Sequence, residues 1–281
     1  MKAEGPVASA ARAGFACGMM GLGLLSLLYR SYALQWEPVP AFVPAPFAYL
    51  SGAILVLAAC ALAIRGAMAW GALVLAVFLG LWVVALKIPE ALAVMPRIDK
   101  VSSLIGAWLG IFEDLGMACG AWTLYALSVR CGDKPPLAGL SGEAGLRVAR
   151  IVFGFACIEY GLSHFAFAGF TAQMVPVWLP QRLFFAYLTG AGHLCAGIAL
   201  VTGVLPRLAA TLEAVMMSSF VVLVHIPMVL WHKAGEGHLN WTLLFVASSL
   251  ASSAWAMSGV LMDRPWGLKT APRAVGALTK A

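Results

Sequence analysis

Long apolar runs, separated by short polar stretches, fill almost all of this sequence. Each run is about as long as an α-helix that crosses roughly 30 Å of hydrocarbon. The runs are apolar on every side and do not alternate in ten-residue strands, which argues against a membrane barrel. The pattern predicts an all-α polytopic membrane protein with eight transmembrane helices, at about 12–29, 47–64, 67–88, 103–129, 148–168, 183–204, 208–231 and 239–262.

Composition supports the same class. Of the 281 residues, 62% are hydrophobic and 11% are charged, and the mean hydropathy is +0.91. A soluble domain carries roughly 25% charged residues. The abundant glycine suits close helix packing in a membrane rather than flexible loops. The sequence therefore predicts a lipid bilayer as the surroundings of the protein.

The lysines and arginines predict the orientation. Twelve of the 18 fall on the side of the N-terminus and the C-terminal tail, and six fall on the opposite side. By the positive-inside rule, both termini face the cytoplasm of an inner (plasma) membrane of the bacterial type. The first run lacks an apparent signal cleavage site and is interpreted as helix one. The net charge of +6 follows from this topology, so no nucleic-acid partner is predicted.

The two halves of the chain repeat each other. Residues 47–53 return at 185–191 with six of seven identities, and four further similarities follow in the same order at offsets of 133 to 140. An ordered set of this kind predicts a tandem duplication. The expected units are a first four-helix bundle at 1–139 and a second at 140–268, followed by a cytoplasmic tail at 269–281.

The second half resembles the DoxX family of small four-helix membrane proteins. The residues that carry the resemblance are Gly154-Phe155, Gly161-Leu162-Ser163-His164-Phe165, Pro176-Val177-Trp178-Leu179-Pro180, Gly190, Gly197, Gly203, Arg207-Leu208-Ala209-Ala210 and His225. Many relatives carry Glu where this chain has His193. The archetype of the family is a subunit of a thiosulfate:quinone oxidoreductase. The resemblance implies a four-helix architecture and a place in a membrane redox complex.

Comparison of the two copies locates the candidate chemistry. At an offset of 140, Glu159 and His164 correspond to Met19 and Leu24; at 138, His193 and His225 correspond to Leu55 and Lys87. Ionisable groups inside a membrane are costly and usually serve a pathway or a site. In the quinone hypothesis Glu159 and His164 handle protons, and His193 and His225 orient the ring. Trp178, in the outer proline loop, is grouped with the cofactor-binding residues.

Other interpretations of this cluster remain open. The histidines and Glu159 are also consistent with a structural hydrogen-bond network, a transition-metal site or a transport pathway. No H-x-x-x-H or C-x-x-C spacing occurs, so no metal ligands are assigned. The preferred function is a subunit of a quinone-linked redox complex with a partner that supplies electrons. The alternatives are a non-catalytic scaffold or assembly factor and a small-solute or metal-ion transporter.

Three further polar features receive smaller roles. Glu113 and Asp114, at mid-depth of the fourth run, are interpreted as structural pairing or a proton relay. Glu213 lies near the inner surface and is given no special function. His232 and His238, in the last outer loop, are expected at the mouth of the site.

Overall fold

The computed structural model describes residues 5–32, 44, 46–64, 66–132, 135, 137–231 and 237–267. Within these ranges the chain is helical and contains no β-strand. Two features of the sequence analysis lie outside the described residues. They are His232 and the predicted tail at 269–281.

Nine helices follow one another along the described chain, and α6 is a short one. Their bounds are α1 Pro6–Tyr29, α2 Phe47–Ala63, α3 Met68–Arg97, α4 Val101–Arg130, α5 Glu143–Ala166, α6 Ala168–Met174, α7 Arg182–Thr202, α8 Pro206–Leu230 and α9 Gly237–Val260. The largest departure from the predicted bounds is the end of α3, which runs nine residues further than expected. It does so because Pro89 stands in the first turn of a helical segment, where its missing N–H is tolerated.

Six of these helices are long and apolar enough to cross a membrane: α1, α3, α4, α7, α8 and α9. Helices α5 and α6 pass the same test together but are bent by 93°, and α2 is a shorter apolar helix of 17 residues. Large apolar side chains such as Leu57 and Leu81 lie exposed on the outside of the helices, as lipid contact requires. The predicted polytopic helical membrane protein is confirmed, and the count of eight spans stays a prediction.

The helices of the two halves pack in the same order. In the first half α1 packs on α2, α2 on α3 and α3 on α4; in the second half α5 packs on α7, α7 on α8 and α8 on α9. The first helix of each half, however, packs along the fourth helix of the other half, as α1 does on α9 and α5 on α4. Helices α4 and α9 also meet, so the two halves share one core.

Small residues allow this close approach between the halves. A side chain at Gly14 or Gly18 of α1 would collide with Ser252 or Ser249 of α9, and one at Gly120 of α4 would collide with Ser253. The Ser249 and Ser253 hydroxyls donate back to carbonyls of their own helix, so these two leave no unpaired donor in the membrane. Glycine and serine at such contacts are typical of membrane helix packing.

The packing fixes the correspondence between the halves at an offset of 138. The Gly161–Gly190 crossing of α5 and α7 matches the Gly23–Gly52 crossing of α1 and α2. Near the start of the first helix of each half, Arg150 donates to the Leu200 carbonyl oxygen, as Arg12 does to that of Leu62. These pairs support the duplication, which stays an inference from sequence and packing.

The offset of 140 that the sequence suggested for the first helices does not describe their packing. Gly14 faces α9 of the other half, whereas Gly154 faces Gly197 of its own half. A shift of two residues turns a side chain by about 200° around a helix and so exchanges the face that it presents. The counterpart of His164 is therefore Ser26, and that of Glu159 is Gly21, not Leu24 and Met19.

Each half also has a π-helical turn at the same position. Residues Val83–Lys87 form one in α3 and Val221–His225 form the other in α8, each followed by Ile-Pro. A proline donates no backbone hydrogen bond and crowds the preceding turn, which favours a local widening of the helix. Lys87 and His225 end these two turns.

Candidate functional site

A buried histidine–carboxylate pair lies at the centre of the second half. His193 of α7 and Glu213 of α8 are each 1% exposed. His193 Nδ1 and Glu213 Oε1 are 2.7 Å apart, a distance at which the two groups share a proton. A buried carboxylate is tolerated when it is paired in this way. Its second oxygen, Oε2, has no hydrogen-bond partner among the described residues.

Aromatic rings and a second histidine surround this pair. The His164 ring lies edge-on to His193 with centroids 5.0 Å apart. Tyr160 is edge-on to His193 at 5.8 Å, and Phe220 lies 5.9 Å from His164 and 5.8 Å from His193. The Cys157 thiol lies beside Glu213. The site is thus built from three helices of the second half, α5, α7 and α8.

The hydrogen bonds of Thr189 assign the protonation of His164. Thr189 Oγ1 donates to the Phe185 carbonyl oxygen at 2.8 Å and lies 2.9 Å from His164 Nδ1. Because the hydroxyl has a single proton and we assign it to the bond with Phe185, the tautomer assigned to His164 carries its hydrogen on Nδ1 and donates to Thr189. In the neutral ring Nε2 then holds a lone pair and is able to accept a proton.

The polar groups of the site are more deeply buried from His164 to His193 and Glu213. His164 is half-buried, whereas His193 and Glu213 are fully buried behind it. A proton accepted at the half-buried ring has a second imidazole next to it and then a carboxylate. The arrangement suits proton transfer between a ligand at His164 and the buried pair.

The structure brings together only two of the five residues predicted for the site, His164 and His193. Glu159 is buried on α5, but its Oε1 has no hydrogen-bond partner among the described residues. His225 lies on α8 twelve residues beyond Glu213, roughly 18 Å along the helix. Trp178 is 67% exposed in the turn after α6. None of these three makes a ring contact or hydrogen bond with the His193–Glu213 pair among the described residues.

Sequence reasoning missed Glu213, which it placed near the inner surface without a role. Glu213 lies two helical turns from the start of α8, but it is fully buried, with His193 of α7 and Cys157 of α5 against it. A signal was present in the sequence, since the counterpart of Glu213 at an offset of 138 is Leu75. Tyr160 was also missed, although it too differs from its counterpart, which is Leu22.

The first half shows that the fold does not require this polar site. The counterparts of His193 and Glu213 are Leu55 and Leu75, both fully buried. The same helix arrangement therefore packs well around two leucines at this place. Polar groups that a fold does not need and that cost free energy to bury indicate function.

Other ionisable residues lie apart from this site. Asp114 and Lys87 are buried in the first half. Lys87 and Glu90 line a cavity of about 420 Å³ between α3 and α4. His238 stacks on Tyr29 with ring centroids 3.9 Å apart, where α1 ends and α9 begins. Among the described residues, no group of three His, Cys, Asp or Glu side chains is placed to hold a metal ion.

Tyr160 connects the site to the first half of the chain. Its hydroxyl donates to the Phe112 carbonyl oxygen of α4 at 2.9 Å. We expect Tyr160→Phe to lower the free energy of unfolding by about 1 kcal/mol, because one net hydrogen bond is lost. Thermal unfolding in detergent measures this loss. Equal melting temperatures for the variant and the wild type would contradict the role of this bond.

Comparison with known proteins supports the family resemblance. The DoxX family model matches residues 145–226, a range that runs from the start of α5 to the end of the π-helical turn in α8. The match covers every residue of the polar site described above. No curated protein and no solved structure matches the chain.

Proposed function

We propose that this multi-pass membrane protein, whose second half carries a DoxX domain, serves a quinone-linked redox complex. The proposed role of the domain is to move protons to and from a quinone bound beside His164. The observation that carries the proposal is the buried His193–Glu213 pair with His164 in front of it. The leucines at the equivalent place in the first half support a functional rather than a structural origin.

The proposed chemistry is a proton-coupled reduction. A quinone takes up two electrons and two protons to become a quinol. His164 Nε2, once protonated, donates one proton to a quinone carbonyl oxygen, and the His193–Glu213 pair restores it. The second proton reaches the other carbonyl oxygen from water, and the pair is reprotonated from the same source. The electrons come from a partner redox subunit, which this proposal requires. The orientation with both termini in the cytoplasm of an inner membrane is part of the same proposal.

Quinone retention tests this function. The protein is reconstituted in nanodiscs, and binding of decylubiquinone is measured for the wild type and for the His193→Leu, Glu213→Leu variant. We expect binding by the wild type and at least a tenfold weaker affinity in the variant. Without the pair, His164 loses the proton with which it holds the quinone carbonyl, and a hydrogen bond from a charged donor contributes about 1.5 kcal/mol or more.

The matched control is Thr211→Val, which removes the Thr211–Ser258 hydrogen bond of 2.7 Å elsewhere on α8. This variant should bind the quinone as the wild type does. Absence of binding by the wild type, or equal affinity of the wild type and the leucine variant, would overturn the proposal.

A non-catalytic scaffold is the second candidate. The shared core of the two halves favours it, because α1 and α9 pack closely through glycine and serine. In that case the polar pair serves only packing, and the leucine variant keeps whatever partner the wild type carries. Quinone reduction by the complex that co-purifies with each protein separates the two functions: a scaffold gives equal rates with the wild type and the leucine variant, whereas a quinone site gives a slower rate with the variant.

A further inference from the structure

An arginine-rich cavity lies at the end of the molecule where α4 and α9 finish and α5 and α8 begin. Its volume is about 720 Å³, and its lining includes Arg130, Arg147, Arg150 and Arg264 with the acids Glu143 and Asp263. Four guanidinium groups therefore meet two carboxylates. The cavity is distant from the His193 site and has no part in the function proposed above.

The arginines of this cavity are of two kinds. Arg130 and Arg150 donate to the carbonyl oxygens of Val260 and Leu200 and so cap the ends of α9 and α7. Capping by Arg150 is a feature of the fold, since Arg12 caps Leu62 in the first half. An arginine has five N–H donors, and each of these hydrogen bonds uses one.

Arg147 and Arg264 are different, because the fold does not need them. The counterpart of Arg147 at an offset of 138 is Ser9. The fourth helices match at an offset of 133, as Trp122 does with Trp255, which gives Cys131 as the counterpart of Arg264. Arg147 is exposed and makes no hydrogen bond to the described residues, and both arginines are charged neighbours of Arg150. The one ion pair in this group with a described partner joins Arg264 to Glu143 at 3.9 Å, between side chains that are 59% and 81% exposed. Such an exposed pair contributes little.

The backbone around the cavity also favours an anion. Helix α8 begins at Pro206 and α5 at Glu143, and both helix starts contribute residues to the lining. The first turns of helices carry partial positive charge and unpaired N–H groups. The segment after α9 closes one side of the cavity and is held by Trp266, which stacks under Arg207 at 4.0 Å.

We propose that this cavity binds a phosphate group, and that Arg147 and Arg264 are its ligands in addition to the capping arginines. Like charges gathered in a cavity between helices are stabilised by a bound anion. Guanidinium groups form paired hydrogen bonds with phosphate oxygens. The phosphate belongs either to an anionic phospholipid headgroup or to a small phosphorylated solute, and both present the same oxygens.

Native mass spectrometry with phosphatidylglycerol and phosphatidylcholine tests the site. The test variant is Arg147→Gln with Arg264→Gln, and the control is Arg182→Gln, an exposed arginine at the start of α7 and outside the cavity. We expect phosphatidylglycerol to bind the wild type and the control alike. The double variant should bind it about 30-fold more weakly, because each arginine near an anionic surface contributes about a fivefold factor.

Competition with glycerol 1-phosphate and with inorganic phosphate separates the two sources. Displacement of the lipid by millimolar solute supports a site for small phosphorylated molecules. Lipid that stays bound under this competition, yet is lost in the double variant, supports a headgroup site. The proposal is overturned if both lipids bind equally, if the double variant binds as the wild type does, or if Arg182→Gln weakens binding as much.

Discussion

Replacing Glu213 alone with leucine should lower the free energy of unfolding by about 3–5 kcal/mol, whereas replacing both members of the pair should not. The single change leaves the buried His193 without the group that shares its proton, and breaking a buried pair costs about this much. The double change His193→Leu, Glu213→Leu reproduces the buried Leu55 and Leu75 of the first half. The double variant should therefore be more stable than either single variant.

A double-mutant cycle in detergent micelles measures this coupling. Reversible unfolding of the wild type, the two single variants and the double variant gives the interaction free energy directly. The control is a cycle on Thr211 of α8 and Ser258 of α9, whose hydroxyls form a hydrogen bond with each other. The expected coupling is about 1 kcal/mol. Additive losses at His193 and Glu213 would show that the pair is not formed.

This cycle also separates stability from function. If the double variant is as stable as the wild type but has lost quinone binding, the polar pair serves quinone binding and not stability. If the double variant is stable and no property changes, the pair belongs to packing. Because the first half has buried Leu55 and Leu75 at the equivalent positions, this comparison is available within one chain.

Gly197→Val should prevent normal packing of the second half, with a loss of about 3 kcal/mol. A side chain at Gly197 would collide with backbone atoms of Gly154 and Ile158 on α5, where no rotamer change gives relief. The crossing of α5 and α7 positions His164 beside His193, so the site should be lost together with stability. Thermal unfolding and helical circular dichroism in detergent measure the effect.

Gly80→Val is the matched control for this variant. It is the same substitution within a helix, but a side chain at Gly80 of α3 meets no atom within 4 Å. Replacing glycine in a helix gains a few tenths of a kcal/mol in backbone entropy. The melting temperature of this variant should equal or exceed that of the wild type. A similar loss in both variants would show that the crossing is not close.

Most of the fold follows from one-dimensional features of the chain. A run of some 20 apolar residues, such as the one that becomes α7, leaves a helix as the only structure that satisfies its backbone in lipid. The family resemblance rests on residues 145–226, where glycines at helix crossings repeat in order. The route of α3 to Arg97 was not predicted, because a proline ends some helices and begins others.

The candidate site was only half predictable. His164 and His193 were found because histidine is conspicuous in an apolar helix. Glu213 was overlooked because its distance from the start of α8 indicated a surface position, and only the neighbouring helices show that it is buried. His225 was included because the first half has Lys87 in its place, although it lies twelve residues beyond Glu213 and so at a different depth along α8.

The sequence by itself determined the solvent of this protein, its helical class and the repeated order of its helices, because hydrophobicity and residue spacing act locally along the chain. The tertiary structure alone decided which residues of the two halves correspond. Only the tertiary structure shows that α1 packs on α9, that α5 packs on α4, and that His193 pairs with Glu213. These facts depend on which face of a helix meets which neighbour. A shift of two residues reverses that face and leaves the hydropathy of the sequence unchanged.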